Sequence, residues 1–205
     1  MRALLIAIAG ASVFGLLGCG KSTTGDPKDS GASATSLILA NAGFEDAGTG
    51  GPMGWTKGGS VAGVEYVWDR NVAHSGQASL GFTKTENRFF PIAGWSQRVG
   101  HTGSTSKLRV SCWVKAESAS KAILDVRFAG PDGETHSWAA YIGAQESGDE
   151  PANHDWKKYT GVVEIPAGTQ EISIAPQMYG PGTVWFDDIE LEYVSDDTPT
   201  SVGGM

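Results

Sequence analysis

The feature that most constrains the fold is a series of short alternating segments separated by glycine- and proline-rich turns. The alternation has a period of two and is rich in β-branched and aromatic residues, and no segment shows a sustained helical period. The candidate strands are Leu37–Ala40, Val61–Trp68, Ala78–Thr83, Trp95–Val99, Lys107–Ala116, Ala122–Phe128, Ser137–Ile142, Lys157–Ile165, Glu171–Met178 and Val184–Val194. Turn sequences such as Gly130–Gly133 and Gly180–Gly182 separate them. This pattern predicts an all-β fold, a jelly-roll β-sandwich of two antiparallel sheets.

The last candidate strand carries a carboxylate in an unusual position. Counting every second residue from Trp185 puts Asp187 on one face with three apolar residues, which are Ile189, Leu191 and Tyr193. The opposite, wetter face then receives Phe186, Asp188, Glu190 and Glu192. A carboxylate among apolar neighbours is unfavourable unless it is paired or binds a metal. We therefore expect Asp187 to face the core and to bind a structural calcium ion, a wrong register being the alternative.

The N-terminus predicts export and lipid attachment. Met1 and Arg2 precede an apolar run over residues 3–18, which is typical of a secretory signal and too short for a transmembrane helix of about 20 residues. The run ends in residues 16–19, Leu-Leu-Gly-Cys, which resemble the bacterial lipobox. That resemblance implies cleavage before Cys19 and lipid attachment to its thiol, an ordinary signal peptide with an incidental cysteine being the alternative.

The remaining chain divides into three parts by composition. Residues 19–36 comprise the lipidated cysteine and a flexible tether rich in Ser, Thr, Gly and Ala, residues 37–194 form one domain, and residues 195–205 form a disordered tail. Gly20 stands where an Asp tends to retain lipoproteins at the inner membrane. The resemblance therefore implies a lipid-anchored protein of the cell envelope, at the outer membrane if the source is a diderm bacterium.

Charge and cysteine content limit the partners. The formal net charge is −8, and no cluster of Lys and Arg suggests nucleic acid or anionic lipid as a partner. We expect a monomer that touches the membrane through its lipid anchor only. With Cys19 lipidated, no disulfide can form within the chain, and Cys112 alternates with Val110 and Val114 as a small buried apolar residue.

The order of several motifs resembles a known family. The motifs are Asn41–Glu45, Gly54-Trp55, His74–Leu80, Trp95–Gln97, Leu108–Ala116, Trp156–Tyr159 and Val184–Ile189. Together they are similar to carbohydrate-binding modules of the family 4/9/22 type, which are galactose-binding-like jelly rolls. The resemblance covers nearly the whole of residues 37–194 and implies that the domain binds a polysaccharide.

The resemblance also implies a calcium site. In this family a Glu in the first motif and the first Asp of the C-terminal Asp-Asp pair contribute to a structural calcium ion, and the matching residues are Glu45 and Asp187. Calcium takes six to eight oxygen ligands, so backbone carbonyls would supply the rest. The alternative is that both carboxylates only accept hydrogen bonds from loop amides.

The candidate ligand-binding residues come partly from the resemblance and partly from alternation. The resemblance places Trp95 where a Trp often stacks on sugar, and Gln177 where a polar side chain commonly contacts it. In Lys107–Ala116, Trp113 alternates away from the apolar residues, and seven Trp in one chain suggest that some are exposed. Trp138 and Tyr141 lie on a strand flanked by loops, so they are candidates for the rim of the site.

Catalysis is not expected. A glycosidase needs two carboxyl groups roughly 5 to 10 Å apart across a cleft, and alternation identifies no such pair here. The four histidines are scattered without metal-ligand spacing. Non-catalytic polysaccharide binding is therefore the first hypothesis. The alternatives are a structural or adhesion lipoprotein and a jelly-roll enzyme that cleaves glycans.

Overall fold

The computed structural model describes residues 35–37, 39–103, 105–144 and 149–205. The predicted signal peptide, Cys19 and nearly all of the predicted tether lie outside the described residues. The strands are β1 (Thr35–Leu37), β2 (Ala47–Gly48), β3 (Gly51–Pro52), β4 (Thr56–Lys57), β5 (Val64–Asp69), β6 (Ser79–Lys84), β7 (Ala93–Gly100), β8 (Lys107–Ala119), β9 (Lys121–Gly130), β10 (Gly133–Gly143), β11 (Ala152–Glu164), β12 (Glu171–Met178) and β13 (Gly182–Val194). Within the described ranges there is no helix long and apolar enough to cross a membrane.

The strands form two large antiparallel sheets. The six-stranded sheet has the order β11-β8-β13-β6-β5, with β1 paired to β13. The five-stranded sheet has the order β10-β9-β12-β7-β4, and β2 and β3 form a separate small hairpin. The predicted all-β jelly-roll sandwich is confirmed.

One hydrophobic core lies between the two sheets. Leu108, Val110 and Val114 of β8 are buried in it as alternation predicted, and Ile172 and Ile174 of β12 meet them from the five-stranded sheet. Burial of these alternating apolar side chains thus stabilises the packing of one sheet on the other.

Cys112 is fully buried in the same core, as the sequence predicted. Burial raises the pKa of its thiol well above the ordinary value. The thiol therefore stays protonated, and it donates a hydrogen bond to the carbonyl of Asp187 at 3.4 Å. Cys112 is a packing residue without thiolate reactivity.

A β-bulge in β13 reverses the alternation that the sequence suggested. The ladder with β8 shifts register between Asp187 and Glu190, and Asp188 has a positive φ of 48°. Before the bulge, Phe186 faces the core and Trp185 faces outward, whereas after it Leu191 faces inward. The expectation that Trp185 lies in the core is wrong because an extra residue changes the phase of a strand.

The bulge also changes the reason why Asp187 is buried. Asp187 lies opposite Trp113 of β8, an outward-facing residue, so its side chain leaves the sheet on the outer side. It is nevertheless 0 % exposed, because the loop that contains His74 and Ser75 covers it and hydrogen-bonds to it. Burial was predicted correctly, but the face was not.

Residues after β13, which composition predicted to be a disordered tail, form backbone bridges to both sheets. The edge strands β10 and β11 approach so closely that a Cβ on Gly161 would overlap the carbonyl oxygen of Ala139. Beside this contact, Ser201 forms an antiparallel bridge with Val162, and Gly203 forms a parallel bridge with Ala140. The C-terminal segment, residues 200–205, therefore joins the edges of the two sheets. Composition alone could not predict this pairing, because it consists of backbone hydrogen bonds.

Candidate functional site

The outer face of the five-stranded sheet brings aromatic and polar side chains together. Trp138 of β10 lies opposite Asp125 of β9, and Tyr141 lies opposite Ile123, which in turn pairs with Gln177 of β12. Residues that pair across strands point to the same side of a sheet. Three of the predicted ligand-binding residues, Trp138, Tyr141 and Gln177, therefore share one face.

The aromatic pair on this face owes its geometry to a second β-bulge. The register of β10 against β9 shifts between Trp138 and Ala140, so Ala139 is the extra residue. Without it, Trp138 and Tyr141 would point to opposite faces, because their spacing is odd. With it, their ring centroids lie 5.8 Å apart at 56°, and Trp138 remains 46 % exposed.

Asp125 is the buried centre of the face, and the sequence analysis missed it. It is only 2 % exposed, and its Oδ2 accepts a hydrogen bond from Gln177 Nε2 at 3.1 Å. His136 Nδ1 lies 3.5 Å from Oδ1, and Arg127 Nε lies 3.4 Å from Oδ2. Burial raises the pKa of Asp125, while His136, Arg127 and Gln177 oppose that rise. An Asp between Leu124 and Val126 was the available signal, since alternation puts it opposite the core.

Polar atoms on the same face lack partners. Gln177 Oε1 and Ser173 Oγ are buried and have no hydrogen-bond partner among the described residues, and the buried Arg127 Nε has only its ion pair with Asp125. Ser173 and Arg127 lie directly opposite each other on β12 and β9. Buried polar groups are nearly always satisfied in native proteins, so an unpaired group needs an explanation such as water or a ligand.

One end of the face carries further aromatic groups. Lys121 Nζ lies 5.4 Å from the ring centroid of Tyr141 and 5.9 Å from that of Tyr179. The ring of Phe90, which is exposed, lies 6.1 Å from that of Tyr179. The face thus continues from Trp138 along an aromatic rim, which the sequence analysis did not identify.

Trp95 is not part of this face. It is 3 % exposed and packs edge-on against Tyr66 with ring centroids 6.1 Å apart. On β7 it has the same parity as Gln97, which pairs with the core residue Ile174. The prediction that Trp95 is an exposed sugar platform is therefore wrong, because its side chain points into the core.

Trp113 also lies elsewhere. It is on the outer face of the six-stranded sheet, where its ring stacks on His74 with centroids 3.8 Å apart and planes at 13°. That sheet is on the other side of the core from Trp138. Alternation in β8 correctly predicted that Trp113 points outward. It could not show that β8 belongs to the six-stranded sheet, so Trp113 does not lie beside the other candidates.

The two predicted calcium ligands meet the same loop. Both carboxylate oxygens of Glu45 accept a hydrogen bond from the N–H of Gln77 at 3.0 Å, and Oε1 also accepts one from Ala78 at 3.1 Å. Asp187 Oδ2 accepts hydrogen bonds from His74 N at 2.8 Å and Ser75 N at 3.2 Å. The amide bonding that the sequence analysis named as the alternative is therefore present.

The fit of these residues to calcium is incomplete on side chains alone. Two carboxylates offer at most four of the six to eight oxygens that calcium takes. Across the described ranges there is no group of three or more His, Cys, Asp or Glu side chains placed to hold a metal ion. Backbone carbonyls and water would have to supply the other ligands, as the sequence analysis expected.

Comparison with known proteins identifies the fold. No protein-family model matches the chain, and no curated protein matches it in sequence. Among solved structures, the CBM22-1 xylan-binding domain of Xyn10C from Paenibacillus barcinonensis is 19% identical with a TM-score of 0.51, over 75% of this chain and 92% of that one. TmCBM61, solved with β-1,4-galactotriose, is 23% identical with a TM-score of 0.50, over 76% of this chain and 97% of that one.

The same fold also occurs in enzymes. The Stig cyclase Fisc from Fischerella sp. TAU, solved with an indole ligand, is 15% identical with a TM-score of 0.56, over 80% of this chain and 100% of that one. The chain therefore has the jelly-roll fold of carbohydrate-binding modules, which the sequence predicted. Fold alone does not assign the function, which depends on the side chains of the individual site.

Proposed function

We propose that the β-sandwich binds a polysaccharide, without cleaving it, on the outer face of its five-stranded sheet. The observation that carries the proposal is the set of unpaired buried polar atoms, Gln177 Oε1 and Ser173 Oγ among them, beside the exposed ring of Trp138. Sugar hydroxyls would satisfy those atoms, and the apolar face of a sugar ring would cover the indole. A site with buried polar groups selects strongly for ligands that pair with them.

The bond between Gln177 and Asp125 orients the site. Gln177 Nε2 donates to Asp125 Oδ2, so the amide turns its N–H₂ toward Asp125. Its carbonyl Oε1 then remains as the acceptor for a ligand hydroxyl. The hydrogen bond orients the amide before binding, which would reduce the entropy lost when the ligand docks.

The opposite face of the sandwich is a weaker candidate. It carries a groove of about 610 Å³ lined by Arg109, Ser111, Lys158, Glu190 and Glu192 among others. Its polar side chains pair with one another, as in Lys158–Glu190 at 2.8 Å and Ser111–Glu190 at 2.9 Å. Because these groups already have partners, that groove offers less to a glycan than the outer face of the five-stranded sheet.

Catalysis is the second candidate, and one observation favours it. Asp125 is a buried carboxyl whose pKa is raised by burial, and a carboxyl of that kind can serve as an acid. It lies beside the aromatic pair, on a fold that cyclases also use. The binding experiment below separates the two candidates, because a binder leaves its polysaccharide intact.

The test is affinity electrophoresis through gels that contain soluble xylan, β-1,4-galactan or β-glucan. At least one should retard the wild-type protein, and Trp138→Ala should abolish the retardation while the melting temperature stays unchanged. The recovered polysaccharide should show no new reducing ends. Release of reducing sugar that is lost in Asp125→Asn would instead assign an enzyme. Absence of retardation by all three would favour a structural or adhesion lipoprotein.

We also propose that the domain is anchored to the cell envelope through a lipid on Cys19. The support is the apolar run at residues 3–18 and the lipobox-like residues that end it. A lipid anchor with a tether would hold the glycan-binding face near the cell surface. Polysaccharide would then be concentrated at the membrane by a monomeric domain.

A structural calcium ion held by Glu45 and Asp187 completes the proposal. These carboxylates come from distant parts of the chain and both bind the loop of residues 74–78. Burial, with the nearby charge of Asp188, raises the pKa of Asp187 to about 6. A cation there would offset the unfavourable buried charge and fasten the loop to the sheet.

A further inference from the structure

The C-terminal segment, residues 200–205, hydrogen-bonds to the backbone that carries the aromatic pair of the outer face. Gly203 N donates to the carbonyl of Ala139 at 2.9 Å, and the N–H of Tyr141 donates to the carbonyl of Gly203 at 2.8 Å. Ala139 is the extra residue of the bulge, which lies between Trp138 and Tyr141. β10 is an edge strand, and Gly203 pairs with its free edge at this bulge.

The segment is held in place from the second sheet. Ser201 and Val162 of β11 exchange two backbone hydrogen bonds, at 3.0 and 2.9 Å. A Cβ on Gly203 would lie 2.9 Å from both the nitrogen and the oxygen of Thr160. Only glycine allows the segment to approach both edge strands this closely.

The segment also forms one wall of a groove that begins at Trp138. The groove, of about 810 Å³, is lined by His136, Ser137, Trp138, Val162, Val163, Glu164, Thr200, Ser201, Val202 and Met205. It combines hydroxyl, imidazole and carboxylate groups with apolar side chains. Met205 is 76 % exposed, so most of its side chain is available to a ligand in the groove.

We propose that residues 200–205 are part of the ligand site. Gly203 is a positioning residue that holds the Ala139 bulge and so keeps Trp138 and Tyr141 on one face. The segment also forms the wall of a groove that receives the sugar units beyond Trp138. This inference rests on the proposed glycan binding. The occupant is the continuation of the same polysaccharide, since Trp138 belongs to both the sheet face and the groove. Mixed polar and apolar walls suit sugar units, which present hydroxyls and C–H faces.

The positioning role is tested with Gly203→Ala, whose methyl group collides with the Thr160 backbone and displaces the segment. Asp197→Ala, at an exposed residue upstream in the segment that follows β13, is the matched control. Near-ultraviolet circular dichroism reports the Trp138–Tyr141 arrangement without any ligand. We expect Gly203→Ala, but not the control, to change that spectrum as Trp138→Ala does, and to weaken retention by the bound polysaccharide about tenfold.

The outcomes separate this inference from the proposed function. An unchanged spectrum with unchanged retention in Gly203→Ala overturns the positioning role. A changed spectrum with unchanged retention also overturns it, because the pair would then not contact the ligand. If no polysaccharide retards the wild-type protein, the proposed function fails, and with it the assignment of this segment to a ligand site, whatever the spectrum shows.

The groove is tested with Met205→Ser, which leaves the backbone bonds of the segment intact. We expect weaker binding of a hexasaccharide of the retained polysaccharide and unchanged binding of its trisaccharide, both measured by titration calorimetry. Equal effects on both lengths, or no effect on either, would show that the ligand does not extend into the groove.

Discussion

Gln177 donates its side-chain N–H to Oδ2 of Asp125 at 3.1 Å, and this bond leaves Gln177 Oε1 as a buried acceptor without a partner among the described residues. We expect Gln177→Met, which keeps the length of the side chain, to weaken polysaccharide binding about two- to tenfold, as for loss of one neutral hydrogen bond. Calorimetry measures the effect. Lys158→Met, on the outer face of the other sheet, is the control and should bind normally. Normal binding by Gln177→Met would remove Gln177 from the site.

Trp95 should behave as a core residue. Because its indole is buried beside Tyr66, Trp95→Ala should lower the free energy of unfolding by about 3–5 kcal/mol. Trp138→Ala should change it by less than about 1 kcal/mol, since Trp138 is 46 % exposed and lies outside the core. Urea denaturation of both variants makes the comparison. Equal stability of the two would contradict the assigned positions.

Calcium should stabilise the folded domain. A ligand that binds only the folded state raises the melting temperature, so a chelator should lower it and added calcium should restore it. Asp187→Ala should remove this dependence, whereas Asp196→Ala, outside the loop, should retain it. A melting temperature that changes with neither chelator nor calcium would falsify the site. The loop amides would then be the partners of Glu45 and Asp187.

The stability of the metal-free protein should fall as pH rises through the range in which Asp187 titrates. Burial raises the pKa of Asp187 from 3.8 to about 6, so between these values the folded state holds a proton that the unfolded state has lost. The free energy of unfolding then decreases with increasing pH, by at most about 3 kcal/mol over the window. Denaturation in chelator, across this window, should show a smaller slope for Asp187→Ala. The same slope in both proteins would assign the effect to other groups.

Lipid attachment is tested independently of the fold. Cys19→Ser should abolish lipid labelling and release the protein from membranes, because the thiol is the site of attachment that the lipobox-like residues imply. Fractionation and metabolic labelling measure the two effects. A Cys19→Ser protein that still sediments with membranes would indicate a different anchor.

Much of the fold could be predicted because period-two alternation is a local property. The strands around Val110 and Ile174 and the burial of Cys112 follow from it, since each apolar side chain needs only its own strand to be placed. Of the site, Gln177, Trp138 and Tyr141 were identified and do share a face. Asp125 was missed, because alternation places it opposite the core but cannot show that His136 and Gln177 approach it from neighbouring strands.

The sequence by itself determined that the chain forms strands, that they bury one apolar face, and that the sandwich is a jelly roll. The tertiary structure decided which side chains point where at two positions, the bulges at Ala139 and at Asp187–Asp188. A bulge breaks the alternation between the residues before it and the residues after it, and each of these two lies against a segment distant in the chain. Gly203 binds the first, and the loop with His74 covers the second. Local alternation contains no information about such distant hydrogen bonds. The sheet faces on which Trp185, Asp187 and Tyr141 lie are therefore known only from the tertiary structure.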